Sequence, residues 1–168
     1  MWQLIARFLA RPAVADWIIR RAHRAPYDHL AVLDGKVLRL PHVTGDAWIR
    51  YPMPGAYWYM RRFWLLRLGP LQMRVHHICA EDPGRDLHSH PWPFRTFILR
   101  GAYVERRSLT LHDVHYRGAG DTMAMGRGEF HRIAQVADGG AWTLFVTFGP
   151  RRGWGFKVGD AVVPHEEY

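Results

Sequence analysis

A chain of 168 residues is the size of one domain built around one core. Hydrophobic residues make up 48% of it and aromatic residues 14%, which excludes a disordered or low-complexity protein. The formal net charge is +8, carried almost wholly by arginine, since Lys36 and Lys157 are the only lysines. The guanidinium fork suits carboxylates and phosphates, so the balance points to a small anionic molecule or another anionic partner, unless it reflects an arginine-rich coding bias. The single cysteine, Cys79, excludes an intramolecular disulfide, and with nothing asking for an oxidising compartment a cytoplasmic location is expected.

Near the start, Trp2, Ile5, Phe8 and Leu9, then Val14, Trp17, Ile18 and Arg21, recur at three and four residues, the spacing of amphipathic helix. Pro12 either separates two short helices or opens the second. Arg7 and Arg11 interrupt the apolar run far short of the ~20 residues that a membrane span requires, and no cleavage site follows a continuous apolar stretch. The basic flank Arg20, Arg21 and Arg24 suits a membrane-surface anchor, but an arm packed on the barrel or on a second subunit is the simpler reading. No membrane partner is expected. Residues 1–26 are therefore read as a helical arm and residues 27–168 as one folding unit.

Within that unit, residues 30–40 read as a hairpin around Asp34-Gly35, and residues 41–55 as a connection punctuated by prolines. The aromatic run 56–66 suits one or two strands. Across 71–80, alternation sets Met73, Val75, His77 and Cys79 on one face and Arg74, His76 and Ile78 on the other. Further strands are expected at 94–100, 103–106, 108–116, 122–125, 130–136 and 142–148, with 156–168 as a closing segment. Short strands divided by glycine turns make an all-β sandwich or barrel.

The organising stretch is DLHSHPWPFRTFILRG at 86–101, answered by GDTMAMGRGEFH at 120–131. His88 and His90, one residue apart on an extended segment, project to the same side and can share a metal ion. Alone this is a weak signal, because a chain with 11 histidines produces such pairs by chance. The surroundings supply the context. In them the chain resembles the cupin superfamily, whose first motif reads G-x5-H-x-H-x(3,4)-E-x6-G and whose second reads G-x5-P-x-G-x2-H-x3-N. His88, His90 and Gly101 fall in register with the first, and Gly120, Gly128 and His131 with the second. Phe94 stands where the Glu is expected, Gly126 for the Pro and Gln135 for the Asn. More narrowly, the chain resembles a group of small cupin-type proteins of tailed phages and prophages that carry an H-x-HPW-x-F-x-x-x-ILRG-x-Y block. That likeness covers most of the chain, and departs at Pro93, where the group often has Asp.

The resemblance implies an all-β fold: a single cupin double-stranded β-helix, or jelly-roll barrel, with an N-terminal helical extension. Such a barrel wraps a ligand cavity, and cupins often pair through exposed strands and helical arms, so a homodimer is expected. It also implies His88, His90 and His131 as metal ligands. Neutral imidazoles suit Fe(II), with Zn, Ni or Mn as alternatives, and three of them leave three octahedral positions open. With Phe94 in place of a ligand Glu, the ion keeps its full +2 charge and attracts anionic ligands. Three-histidine sites of this kind occur among cupin thiol and diketone-cleaving dioxygenases. In the plainer alternative no metal binds, His88 caps a turn and His131 packs in the core.

Around the triad, Glu129 shares a face with His131 if the segment is extended, and is the candidate general base. His76 is a candidate for moving a proton or orienting a ligand, with a structural role as the alternative. Arg74, Arg95, Trp92 and Tyr103 are the candidate substrate-binding residues. Because Arg95 and Arg100 are an odd number of residues apart, at most one of them lines the cavity. The leading functional expectation is an Fe(II) oxygenase acting on a small anionic substrate. The alternatives are a metal-dependent isomerase or epimerase, for which Glu129 is essential, and a non-catalytic phage-type binding or assembly module. Nucleic acid fits the charge, but the arginine pairs at 20–21, 61–62, 106–107 and 151–152 are dispersed and no stacking motif accompanies them, so it is not favoured.

Overall fold

Pro12 opens a helix. In the computed structural model, which describes residues 1–41, 54–108 and 112–168, helix α1 spans Trp2–Leu9 and α2 spans Pro12–Ala22. Proline is tolerated at a first helical position because its missing N–H has no intrahelical partner there. The face that α2 buries is Ala15, Ile18, Ile19 and Ala22, a three-and-four spacing. Phe8 and Trp17, expected on the buried stripe, are instead 52% and 61% exposed. The stripe is rotated towards Ala6, Ala15 and Ala22, small residues that let the helix backbones lie close to the sheet. No described helix is long and apolar enough to cross a membrane.

Strands β1 (Pro26–Leu33) and β2 (Lys36–Leu40) form the expected hairpin. Its turn residues Asp34 and Gly35 have φ of 51° and 75°, the two positive values that a two-residue type I′ turn needs. The aromatic run is one long strand, β3 (Tyr57–Leu68), with an irregularity in register between Trp64 and Leu66. With β4 (Leu71–Ile78), β6 (Phe94–Arg100), β9 (Thr122–Met125) and β11 (Ala141–Thr147) it makes a seven-stranded antiparallel sheet in the order β2-β1-β3-β4-β11-β6-β9. Two three-stranded antiparallel sheets complete the β structure of the described residues. One is β10 (Arg132–Val136), β7 (Ala102–Arg106) and β8 (Val114–Gly118); the other is β13 (Ala161–Pro164), β12 (Gly155–Val158) and β5 (Leu87–His88).

The strand expected at 108–116 starts later, at Val114, and part of that expectation (109–111) lies outside the described residues, as do residues 42–53 of the expected connection. The expected closing segment is a hairpin, β12 with β13.

The large sheet sorts its side chains by alternation. Phe63, Val75, Phe97, Leu99, Leu144 and Val146 pack beneath the two helices. The opposite face turns inward, with Ile78, Ile98, Tyr103, Ile133 and Ala141 in one cluster and Phe94, Met123, Met125 and Phe145 in another. The result is an all-β jelly roll with a helical extension covering the outside of its large sheet. Gly101 makes the β6 to β7 turn at φ 72°, and a Cβ there would stand 2.0 Å from the carbonyl oxygen of Gly140. Only glycine fits such an approach.

Candidate metal centre

Two segments far apart in sequence are joined by their backbones at the centre. The His88 N–H donates to the His131 carbonyl at 2.8 Å and the His131 N–H donates back at 3.0 Å, an antiparallel bridge. Ser89 lies on the other side of its segment, where its hydroxyl meets the Gly155 backbone, so His88 and His90 project together as alternation requires. Nitrogen atoms of His88, His90 and His131 all lie within 4.8 Å of one another.

The His90 and His131 Nε2 atoms are 2.8 Å apart. Two imidazole nitrogens bound at ~2.1 Å to one ion, at a right angle, stand about 3 Å apart, so this pair has the spacing of adjacent ligands. The Nδ1 of His131 lies 2.8 Å from Oε1 of Glu105, a fully buried residue whose Oε2 accepts from Arg117 at 2.9 Å while Arg107 stands 3.6 Å from Oε1. Burial raises the Glu105 pKa, but the His131 hydrogen bond and the neighbouring cations outweigh it and hold the carboxyl at about 2. An ionised Glu105 keeps the proton of His131 on Nδ1 and leaves the Nε2 lone pair facing the other histidines. The Nδ1 of His88 is 3.5 Å from the Asp82 carboxylate, which is itself fixed by the Tyr59 hydroxyl and the Ile133 N–H.

Burial pushes the His88 pKa down to about 4, with Asp82 opposing and His131 and Arg132 assisting. Burial also carries His90 well below its ordinary value, with the neighbouring histidines acting in the same direction. Both rings are therefore neutral at pH 7, the form that ligates metal.

The walls of the centre are apolar on one side. Phe94, where a ligand Glu was expected, places its ring 4.7 Å from that of His90 and 4.5 Å from that of Phe145. On the inner face of β4, Arg74 and His76 point the same way, as alternation predicts. The His76 ring stacks on Phe145 at 4.9 Å, and its Nε2 is 3.4 Å from the Tyr27 hydroxyl. Burial, then the charges of Arg62 and Arg74, lower the His76 pKa strongly. The Arg74 guanidinium lies 4.9 Å from the centre of the Trp92 ring and 4.5 Å from that of Trp64.

Three other expected site residues stand elsewhere. Glu129 is exposed and its carboxylate accepts from the Gly126 N–H. It does not share the His131 face because a turn at residues 127–128 and an irregular stretch at 129–130 precede the His131 bridge, so alternation does not apply. Arg95 is on the outer face, its guanidinium 4.6 Å from the Trp2 ring centre beneath α1. Tyr103 is inside the barrel but packed among Ile78, Ile98 and Ile133, on the same face of β7 as Glu105. Glu105, Asp82 and Arg62 were missed by sequence reasoning. Only the alternation from Tyr103 to Glu105 on one short strand pointed to any of them.

No protein-family model matches the sequence, and no curated protein matches it. Solved structures do resemble the fold. One is a candidate mannose-6-phosphate isomerase from Ralstonia eutropha JMP134, 15% identical over 54% of this chain and 85% of that one, with a TM-score of 0.48. Another is a cupin superfamily protein from Desulfitobacterium hafniense DCB-2, 13% identical over 54% and 78%, with a TM-score of 0.42. A third is KdgF from Halomonas sp., 12% identical over 56% and 82%, with a TM-score of 0.43. These are likenesses of fold. Each spans little more than half of this chain.

Proposed function

We propose that this chain is a metal-binding cupin, related to the small phage and prophage group, that holds one divalent ion on His88, His90 and His131 and acts on a small anionic substrate. The observation that carries this reading is the 2.8 Å approach of the His90 and His131 Nε2 atoms, with Glu105 holding the far nitrogen of His131. Three imidazole nitrogens within 4.8 Å of one another, those of His88 and His90 held neutral by burial, fit a cation. Bound there, a divalent metal supplies a Lewis acid with open positions, and as Fe(II) a partner for dioxygen.

The chain's own residues do the rest. Phe94 and Phe145 exclude water beside His90. Glu105 fixes the tautomer of His131, and Asp82 orients His88. With no carboxylate among the three ligands, the site keeps a positive charge that draws in an anion. We assign oxygenase chemistry with Fe(II) as the first reading. Isomerase chemistry is the second, and it is favoured by His76: a neutral imidazole on the inner face, hydrogen-bonded to Tyr27, can take and return a proton, a role for which Glu129 is badly placed.

Elemental analysis of protein purified without chelators tests the reading. The expected result is close to one iron per chain, falling to near zero in His131→Ala with the fold retained by circular dichroism. Protein that takes up no divalent metal when folded overturns it. Substrate turnover that persists without oxygen moves the assignment from oxygenase to isomerase.

A further inference from the structure

The inner face of the large sheet collects positive charge that the described residues do not neutralise. Arg62 on β3 pairs in register with His76 on β4, and Trp64 with Arg74, so Arg62 and Arg74 are diagonal neighbours on one face. Arg74 is 6% exposed. Its hydrogen-bond acceptors are neutral, Thr147 Oγ1 at 3.2 Å and the Gln72 side-chain carbonyl. Arg62 donates from Nε to the backbone carbonyl of Asp28 at 2.6 Å, and its buried Nη2 has no hydrogen-bond partner. The Asp28 carboxylate is already paired with Arg39. Among the described residues, no carboxylate forms an ion pair with either guanidinium. Aromatic rings cover their faces: Tyr27 lies 4.6 Å from Arg62, and Trp64 and Trp92 flank Arg74. Ring faces ease the burial of a cation but supply no acceptor to an N–H edge.

A buried and a half-buried cation side by side, with spare donors and no carboxylate paired to either, are costly unless an anion joins them. Both arginines lie in electrostatic reach of His76, and His76 in turn of His90. We propose that Arg62 and Arg74, with the Tyr27 hydroxyl, form an oxyanion subsite that takes a carboxylate or phosphate group of the ligand whose other end meets the histidine triad. The inference rests on the metal-site reading for the second end of that ligand, but the subsite itself needs no metal. Its ligand is a two-headed small molecule, with an oxyanion at one end and a metal-binding donor at the other. Trp92 lies against Arg74, and Phe145 against both His76 and His90, the apolar groups that such a ligand would meet.

The test uses the full-length protein, stripped with a chelator and separately loaded with metal, titrated with malonate and with inorganic phosphate against a chloride control of equal ionic strength. Binding is read by calorimetry and by the shift in Tm. The expected result is that metal-free protein is stabilised by at least one of the two oxyanions. Arg62→Met and Arg74→Met should each weaken that binding roughly ten- to a hundredfold, the loss of a charge-assisted hydrogen bond, while still loading metal as wild type does. Malonate preferred over phosphate marks a carboxylate ligand, and the reverse marks a phosphate ester. Because Arg62→Met removes a half-buried charge with no carboxylate partner and an unsatisfied Nη2, its ligand-free Tm should hold near that of wild type, which keeps the variant informative. Arg62→Lys should recover part of the binding. An absence of stabilisation by either anion in folded wild type overturns the subsite, as does a response unchanged in Arg62→Met. Failure to load metal with oxyanion binding intact would instead sink the metal reading alone.

Discussion

Two of the three clustered histidines, His131 and His88, are held by carboxylates outside the cluster. Glu105 is the clearest, since its carboxylate is fully buried and bonded to His131 at 2.8 Å. Replacing it with Gln should weaken metal affinity by about 10- to 100-fold, as loss of an outer partner of a ligand histidine does. Competition against a chromophoric chelator measures this, and an unchanged affinity would mean that the hydrogen bond does not position the ring. Gly101 is a separate matter of backbone. Alanine there meets both a positive φ and a carbonyl 2.0 Å from its Cβ, so Gly101→Ala should destabilise the fold by more than about 1–3 kcal/mol in urea unfolding, whether or not metal is present. His88 and His90 were legible from alternation over two residues, and His131 and Gly101 from their register with the cupin motifs. Glu105 was not, because it approaches His131 through the pairing of β7 with β10, and Asp82 was not, because it reaches His88 across an irregular loop; local spacing encodes neither.

At the scale of elements, the helical arm is part of the core. Ile18 is 3% exposed and packs in the same cluster as Phe63, Val75 and Leu144. Ile18→Ala should cost about 2–5 kcal/mol, read as a lower denaturant midpoint with little change of slope. Beneath α2 lies a buried imidazole: His77 stacks on Trp142 at 4.1 Å, donates from Nε2 to the Gly139 carbonyl at 2.9 Å, and accepts from Arg61 on Nδ1. Burial, against the Gly139 bond and with help from Arg61 and His23, lowers its pKa from 6.5 to about 4. The unfolded chain therefore binds this proton first as pH falls. The stability that His77 contributes is complete above pH 6.5 and is lost progressively down to pH 4. Thermal unfolding of His77→Gln against wild type across that window should show a smaller acid-side fall in the variant; parallel curves would remove His77 as the cause. Helices and hairpin were readable from periodicity and the Asp-Gly turn. Ile5, Leu9, Val14 and Ile18 pack on the core as their spacing predicts, but the exposure of Phe8 and Trp17 was not readable, because alanine carries too little hydrophobic signal to show that close packing would select it over them.

For the molecule as a whole, metal and fold should be linked. A ligand present at about 100 times its dissociation constant adds roughly 2.7 kcal/mol to stability, so excess Fe(II) or Zn should raise the Tm of stripped protein by several degrees. His131→Ala should lack that rise, and an equal rise in wild type and variant would place the bound metal elsewhere. The same linkage explains how His88 and His90 are tolerated in a barrel interior: the desolvation that lowers their pKa values also leaves their lone pairs free for a cation.

The sequence alone determined the strand-rich class, the two short helices, the glycine turns and the pair of histidines on one side of a strand. All of these follow from rules that act over a few residues. The tertiary structure decided which charges share the interior. Strand pairing set Glu105 behind His131, turned Arg74 and His76 inward beside Arg62, and left Glu129 at the surface and Arg95 under Trp2. The physical reason is that a side chain's electrostatic surroundings depend on neighbours brought in from other strands, and no local periodicity records which strands those are.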